Sequence, residues 1–256
     1  MRAAFEVICE IEPATTPDLK RVRHQIGVLS PIASAFLIPD NHIGRATVSS
    51  VAVAHEVQAM GGRSIACLNA RDRNLLGFRR DLLTAAAYGV DEFLFVYGDD
   101  PRVGRRTSEL TVRTMIDEGR RYAKSLEPGT TMRFGAATGL RAVPEWKRTA
   151  DFLFVQIGFS LDELLRWRSQ VDLSIPVYAG VIVLPSATMA RRLSNDIPGL
   201  IVPSDLIERL EQDRNAGVDA ACELVERIRG SGALDGVHLI PVTRYREVTA
   251  RLERRG

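Results

Sequence analysis

The chain has 256 residues, 45% hydrophobic and 26% charged, with 34 Lys and Arg against 32 Asp and Glu for a formal net charge of +2. That is the composition of a globular chain with one large core or two modest ones, and it gives no electrostatic reason to expect nucleic acid or a membrane surface as partner. Cys9, Cys67 and Cys222 stand far apart with no CxxC spacing, the pattern of reduced core thiols in a cytoplasmic protein. No stretch reads as a signal peptide, and no apolar run approaches the ~20 residues of a membrane helix.

In chain order, Ala3 to Ile11 reads as a first strand, and Thr16 with Pro17 reads as the cap and first position of a helix to about Gly27. Ala35 to Ile38 is a second strand, ended by Pro39-Asp40-Asn41-His42, with a helix over about Ala46 to Met60 stopped by Gly61-Gly62. Ser64 to Leu68 is the third strand and runs into Asn69-Ala70-Arg71-Asp72-Arg73-Asn74, followed by a helix over Leu75 to Tyr88. Asp91 to Val96 is rich in aromatic and β-branched side chains and reads as a buried strand that Tyr97-Gly98-Asp99-Asp100-Pro101 stops abruptly. A helix is expected over about Thr107 to Lys124, a fifth strand over Met132 to Ala137 and a short helix near Glu145 to Thr149. Phe152 to Ile157 is the sixth strand, with Ser160 capping a helix to Gln170, and Pro176 to Val183 is the seventh, with a helix over Ser186 to Leu193. One long helix near Asp205 to Arg229, an eighth strand over Val237 to Pro241 and a last helix complete the pattern; Arg251, Arg254 and Arg255 read as its solvated end.

Regular βα alternation demands a parallel sheet with right-handed crossovers, and eight such units in ~250 residues are the size of a (β/α)8 barrel. The alternative is an open doubly wound sheet, but no GxGxxG follows the first strand. The expectation is one barrel domain over residues 1–256.

In a barrel the carboxyl ends of the strands ring one mouth. Here they bring Glu10 and Glu12, Asp40 and Asn41, Asp72 to Asn74, Asp99 and Asp100, Thr138, Gln156 and Tyr178. His24, His42, His55 and His238 show no ligand spacing, and no HExxH, GxSxG or Walker loop is present. The expectation is no metal site, with a hard-cation site built from the Asp residues as the alternative. By the period of two, Phe5, Val7 and Cys9 share one face of the first strand and Glu6, Ile8 and Glu10 the other. Glu10 is therefore placed either to act as a general acid in an apolar mouth or to pair with an Arg. Asp99 reads as a site carboxylate, or as a cap of the next helix or a binder of its own loop's amides, and Asp100 as that cap. Gln156 is a substrate hydrogen-bonder or a satisfied core amide, and Asp72-Arg73-Asn74 is a local ion pair at a helix start or part of a site.

Taken together these segments resemble methylenetetrahydrofolate reductase. Glu10-Ile11-Glu12-Pro13-Ala14-Thr15-Thr16-Pro17 is similar to that family's Glu-Phe-Phe-Pro-Pro-Lys-Thr-Pro, with Glu10 on its catalytic glutamate. Cys67 to Asn74 resembles its third-strand segment ending in Arg-Asp-Arg-Asn or a variant of it. Val96-Tyr97-Gly98-Asp99-Asp100-Pro101 resembles its Leu-Arg-Gly-Asp-x-Pro, with Asp99 on the aspartate beside the pterin. Phe154-Val155-Gln156-Ile157-Gly158-Phe159 resembles its Thr-Gln-Phe-Phe-Phe-Asp, with Gln156 on the substrate-binding glutamine, and Ile175 to Val181 resembles its Ile-Pro-Ile-x-Pro-Gly-Ile.

The resemblance implies reduction of 5,10-methylenetetrahydrofolate to 5-methyltetrahydrofolate. Glu10 and Asp99 would be catalytic, and Gln156, Asp99 and Tyr178 substrate-binding. Asp40, Asn41, Asp72, Arg73, Asn74 and Thr138 would face the cofactor. Flavin-dependent members carry a longer polar segment after strand five, with His, Pro and basic residues on the flavin diphosphate. Here Ala136-Ala137 is followed within a few residues by Pro144-Glu145-Trp146, Tyr97 replaces an Arg and Gly158 an aromatic. NADH is therefore expected to pass hydride directly, without FAD, as in the short actinobacterial variant. The alternatives are an FAD-dependent reductase, a non-catalytic folate-binding barrel and a corrinoid-linked methyltransferase. The partners expected are a tetrahydrofolate derivative and a nicotinamide dinucleotide, with a homo-oligomer left open.

Overall fold

The computed structural model describes residues 4–12, 14–126, 129–197 and 199–254. Eight parallel strands close on themselves in sequence order. They are β1 (Glu6–Glu10), β2 (Ala35–Ile38), β3 (Ser64–Asn69), β4 (Glu92–Val96), β5 (Arg133–Thr138), β6 (Phe152–Ile157), β7 (Val177–Ile182) and β8 (Gly236–Ile240). The helices between them are α1 (Lys20–Leu29), α2 (Ser50–Ala59), α3 (Leu75–Ala87), α4 (Val112–Ser125), α5 (Glu145–Arg148), α6 (Leu161–Gln170), α7 (Ala187–Asp196), α8 (Ser204–Gln212) and α9 (Ala216–Ser231), with α10 (Tyr245–Glu253) last. The (β/α)8 barrel expected from the alternation is the fold observed.

The period of two sorts each strand into two cores. Val7 and Cys9, Phe36 and Ile38, Phe93 and Phe95 face the helices in the outer core. Ile8, Leu37, Ile65, Cys67, Leu94 and Phe154 fill the barrel. Full burial of such a side chain is worth ~1.5–3 kcal/mol. Space inside is tight enough that Gly135 on β5 is required: a Cβ there would lie 2.0 Å from the Phe152 ring of β6.

The amino end of the barrel is plugged by charge. Arg63 bonds Glu6 at 2.6 Å and lies 3.6 Å from Glu92, while Arg133 reaches Glu92 at 3.2 Å. Burial raises the Glu92 carboxyl above its usual range, and the two guanidiniums oppose that rise.

Element ends depart from the sequence expectation where side chains compete for the backbone. α1 starts at Lys20 with no side-chain cap from Leu19, and residues 15–17 form a bend instead of a Thr16-capped turn. α2 starts at Ser50 because Asn41 and Thr47 exchange side-chain-to-backbone bonds of 3.3 and 3.2 Å that hold the preceding loop. The capping box of α4 is Thr111 with Thr114, four residues past the expected start. The long helix expected near 205–229 is two helices. Asp213 is extended and its carboxylate accepts the Asn215 N–H at 2.8 Å, while Arg244 binds the Arg214 carbonyl and the Asn215 amide at 2.7 Å. Pro13 and Arg255 lie outside the described residues; Arg251 pairs with Asp219 at 2.7 Å.

Candidate active site

Glu10 ends β1 on the inward face, in the row of Glu6 and Ile8. Its Oε2 lies 3.0 Å from Nε2 of His238, the inward residue of β8, and the two side chains are 19% and 12% exposed. Barrel closure makes this pair, since β1 and β8 are adjacent with Ile8 opposite His238. An Arg was the partner expected for a structural Glu10; the partner is a histidine. The sequence signal for His238 was present, because Val237 and Leu239 are outer-core residues and parity turns the residue between them inward. Sought only as a metal ligand, it was missed.

Asp99 follows β4 on an exposed loop, where its Oδ2 accepts the Ile43 N–H at 2.9 Å. Asp100 does not cap α4: it pairs with Arg71 at 2.5 Å and lies 3.7 Å from Arg106. The Arg71 guanidinium also stands 4.5 Å over the Tyr97 ring. Gln156 sits at a register shift between β6 and β7 that leaves it exposed. It lines a cavity of about 530 Å³ with Tyr97, Arg113, Trp146 and Lys147. Lys147 Nζ donates to the Ala137 carbonyl at 2.6 Å; burial, then Arg141, lowers its pKa.

Of the residues expected at the cofactor, Asp40, Asn41, Asp72 and Arg73 join one hydrogen-bonded network, and Asn74 and Thr138 stand outside it. Arg73 donates to Asp40 at 2.5 Å, to Asp72 at 2.9 Å and to Asp81 at 2.8 Å. Asn69 donates to both Asp40 and Asp72, and Asn41 donates to Asp72 at 2.5 Å. The Asp40 side chain is only 3% exposed. Burial raises its pKa and Arg73 pulls against that, while the carboxylates around Arg73 hold the guanidinium charged despite its own burial. Asn74 caps α3 by accepting the Gly77 N–H at 2.8 Å. Thr138 is buried, with its hydroxyl 3.4 Å from the Gly139 carbonyl.

Tyr178 does not join the mouth. It is the second residue of β7, and its hydroxyl donates to Glu6 at 2.5 Å toward the amino end of the barrel. Tyr178 pairs in register with Gly236, itself opposite Glu6, two residues below the His238 level. Among the described residues no group of three or more His, Cys, Asp and Glu is placed to hold a metal ion.

The fold and the mouth define a class: a (β/α)8 barrel with a carboxyl–imidazole pair on its inward face, formed by the last residue of the first strand and the middle residue of the last. The family model described as methylenetetrahydrofolate reductase matches residues 146–256, from α5 to the end of the chain. No curated protein matches the chain. Among solved structures, an uncharacterized protein from Clostridium thermocellum that binds two copies of 5-methyl-5,6,7,8-tetrahydrofolic acid is similar over 100% of this chain and 97% of its own, with TM-score 0.67 and 12% identity. EDTA monooxygenase (EmoA) from Chelativorans sp. BNC1 is similar over 100% and 94%, with TM-score 0.55 and 8% identity. DmoA from Hyphomicrobium sulfonivorans covers 100% and 89%, with TM-score 0.55 and 10% identity. At these identities the likeness is one of fold.

Proposed function

We propose that this chain is a methylenetetrahydrofolate reductase that reduces 5,10-methylenetetrahydrofolate to 5-methyltetrahydrofolate with hydride from NADH, without bound flavin. The observation that carries the reading is Glu10, a largely buried carboxyl on the inward face of the mouth at the position where the resemblance puts the proton donor. The family match over residues 146–256 and a similarly folded protein that binds methyltetrahydrofolate support the folate part of it.

Opening the five-membered ring of the substrate requires a proton on nitrogen, which Glu10 supplies; hydride then reaches the exposed methylene carbon of the iminium. Asp99 meets the pterin and favours the developing cation. Gln156 orients the ring from the cavity it shares with Tyr97 and Trp146. Because the reaction needs two bound molecules in register, positioning supplies much of the rate. The Asp40–Arg73–Asp72 network and Asn41, Asn74 and Thr138 form the donor's side of the mouth, chiefly by holding the loops after β2 and β3 in place.

Flavin independence is supported by the residues where a flavin diphosphate would need cations. Only residues 139–144 separate β5 from α5, Lys147 donates to a strand carbonyl, and Arg71 is engaged by Asp100 and the Tyr97 ring. A visible spectrum of the purified protein, taken with NADH oxidation on adding methylenetetrahydrofolate, tests the reading. A colourless protein that oxidises NADH only with the folate present is the result expected. A flavin spectrum bleached by NADH would replace direct transfer with flavin chemistry, and no oxidation would remove the reductase assignment.

A further inference from the structure

We propose that His238 is the positioning residue for the Glu10 proton donor: it fixes one carboxyl oxygen and leaves the other to carry the transferable proton. The proposal rests on the reductase reading for its catalytic meaning, and on geometry for the pair itself.

His238 Nε2 lies 3.0 Å from Glu10 Oε2, a hydrogen-bond distance that needs one proton between the two atoms. Among the described residues His238 makes no other side-chain hydrogen bond. The ring is held on a rigid strand rather than a loop, and the Phe154 ring meets it edge-on with centroids 5.2 Å apart and planes at 75°. Its neighbours in register are Ile8 on β1 and Gly180 on β7, neither of which offers a competing side-chain partner. The nearest charged plug lies one layer toward the amino end, where Glu6 is engaged by the Tyr178 hydroxyl and the Arg63 guanidinium. Cys67 on β3 is the other titratable inward residue near Glu10, and its thiol is pushed well up by burial and then by the Glu10 and Asp40 carboxylates.

The chemistry follows from the two oxygens of one carboxyl group. With the Nε2–H tautomer of His238 donating to Oε2, the acid proton sits on Oε1. On transfer the Glu10 O–H bond breaks, an N–H bond forms on the substrate nitrogen, and the electron pair stays on the carboxylate. His238 keeps its own proton and holds the new anion through the Nε2–H bond, which is stronger to the charged form than to the neutral acid. Solvent then returns a proton to Oε1. A hydrogen bond that strengthens as charge develops lowers the barrier without tightening substrate binding.

The test uses the full chain and the variants Glu10→Gln, His238→Ala, His238→Gln and the double Glu10→Gln/His238→Ala, each checked for native circular dichroism. His238→Ala should lower kcat about tenfold or more with KM for the folate within about twofold, the signature of an interaction made in the transition state. His238→Gln, whose amide can donate to Oε2, should recover part of the loss. The double variant should be no slower than Glu10→Gln, because two residues acting as one unit are not additive. Losses that multiply, or wild-type kcat in His238→Ala, would overturn the proposal. Should the wild-type chain oxidise no NADH, the reductase reading fails but the pair is still read by ring-nitrogen NMR. Glu10→Gln should then change the His238 tautomer balance, and an unchanged His238 signal would dismiss the pair as well.

Discussion

The carboxylate of Asp99 accepts the backbone N–H of Ile43 at 2.9 Å, fastening the loop after β4 to the loop after β2, the two strands that flank β3. Arg102 completes the clasp, with its Nε on the Ile43 carbonyl at 3.1 Å and its N–H on the Gly44 carbonyl at 2.8 Å. Ile43 is held at φ 58, a left-handed conformation that costs a β-branched residue ~1–3 kcal/mol. Gly44 has φ 65 and approaches so closely that a Cβ would lie 2.0 Å from the Asp100 carbonyl oxygen. Asp99 is thus a loop-amide binder whose second oxygen has no protein partner among the described residues.

Asp99→Ala should therefore release the loop at residues 41–46 while leaving the barrel intact. Hydrogen exchange at the Ile43 and Gly44 amides should accelerate about tenfold, with global stability changed by less than ~1 kcal/mol, since the bond is exposed. Unchanged exchange would mean that Arg102 holds the loop alone.

Arg73→Met should be among the most damaging substitutions outside the barrel interior. It strips Asp40, 3% exposed, of its guanidinium, and breaking a buried pair in this way costs about 3–5 kcal/mol. The pH dependence has a definite sign. Burial already raises the Asp40 carboxyl, and without Arg73 nothing cationic in the network opposes it. The folded state then holds the proton to higher pH than the unfolded chain. Stability is fully present below the unfolded value of ~3.9 and is lost as pH rises through the raised folded one. Urea melts of Arg73→Met across acid to neutral pH should show that slope, and Asp40→Asn in the same background should flatten it.

Tyr178→Phe separates the amino-end plug from the mouth. Burial, then the bond to Glu6, raises the phenol of Tyr178 above its ordinary range. Its contribution to stability is whole below the unfolded tyrosine value of ~10 and is lost as pH rises through the folded value. Tyr178→Phe should lessen the alkaline loss of stability and, on the proposed reductase reading, leave the affinity for the folate within about twofold, because the hydroxyl points away from the mouth. A large loss of folate affinity would return Tyr178 to the substrate site.

Gly135→Ala should destabilise the barrel by about 1–3 kcal/mol by forcing the Phe152 ring from its place. Phe152→Leu in the same chain should recover part of that cost. Thermal melts of the two variants, single and combined, would show the coupling; simple additivity would mean that Phe152 has room to move.

The strands were legible because a buried parallel strand must be a short apolar run closed by turn residues. Ala35–Ile38 and Phe152–Ile157 fall on the residues expected. The inward row of Glu6, Ile8 and Glu10 followed from a period of two that holds in any strand. Helix starts at Lys20, Ser50 and Val112 were less legible, because side-chain bonds to backbone from Asp18, Asn41 and Thr114 shape the chain around them.

The sequence by itself determined the alternation, the barrel and the position of an inward carboxyl at the end of β1, all of which rest on local periodicity and turn chemistry. Only the tertiary structure decided what that carboxyl touches. Glu10 and His238 are 228 residues apart and meet because the last strand closes on the first. Closure likewise turned Tyr178 toward Glu6, and the packing of the loops after β2 and β3 bound Asp40 to Arg73, since which charge finds which partner depends on distances between strands that no local pattern encodes.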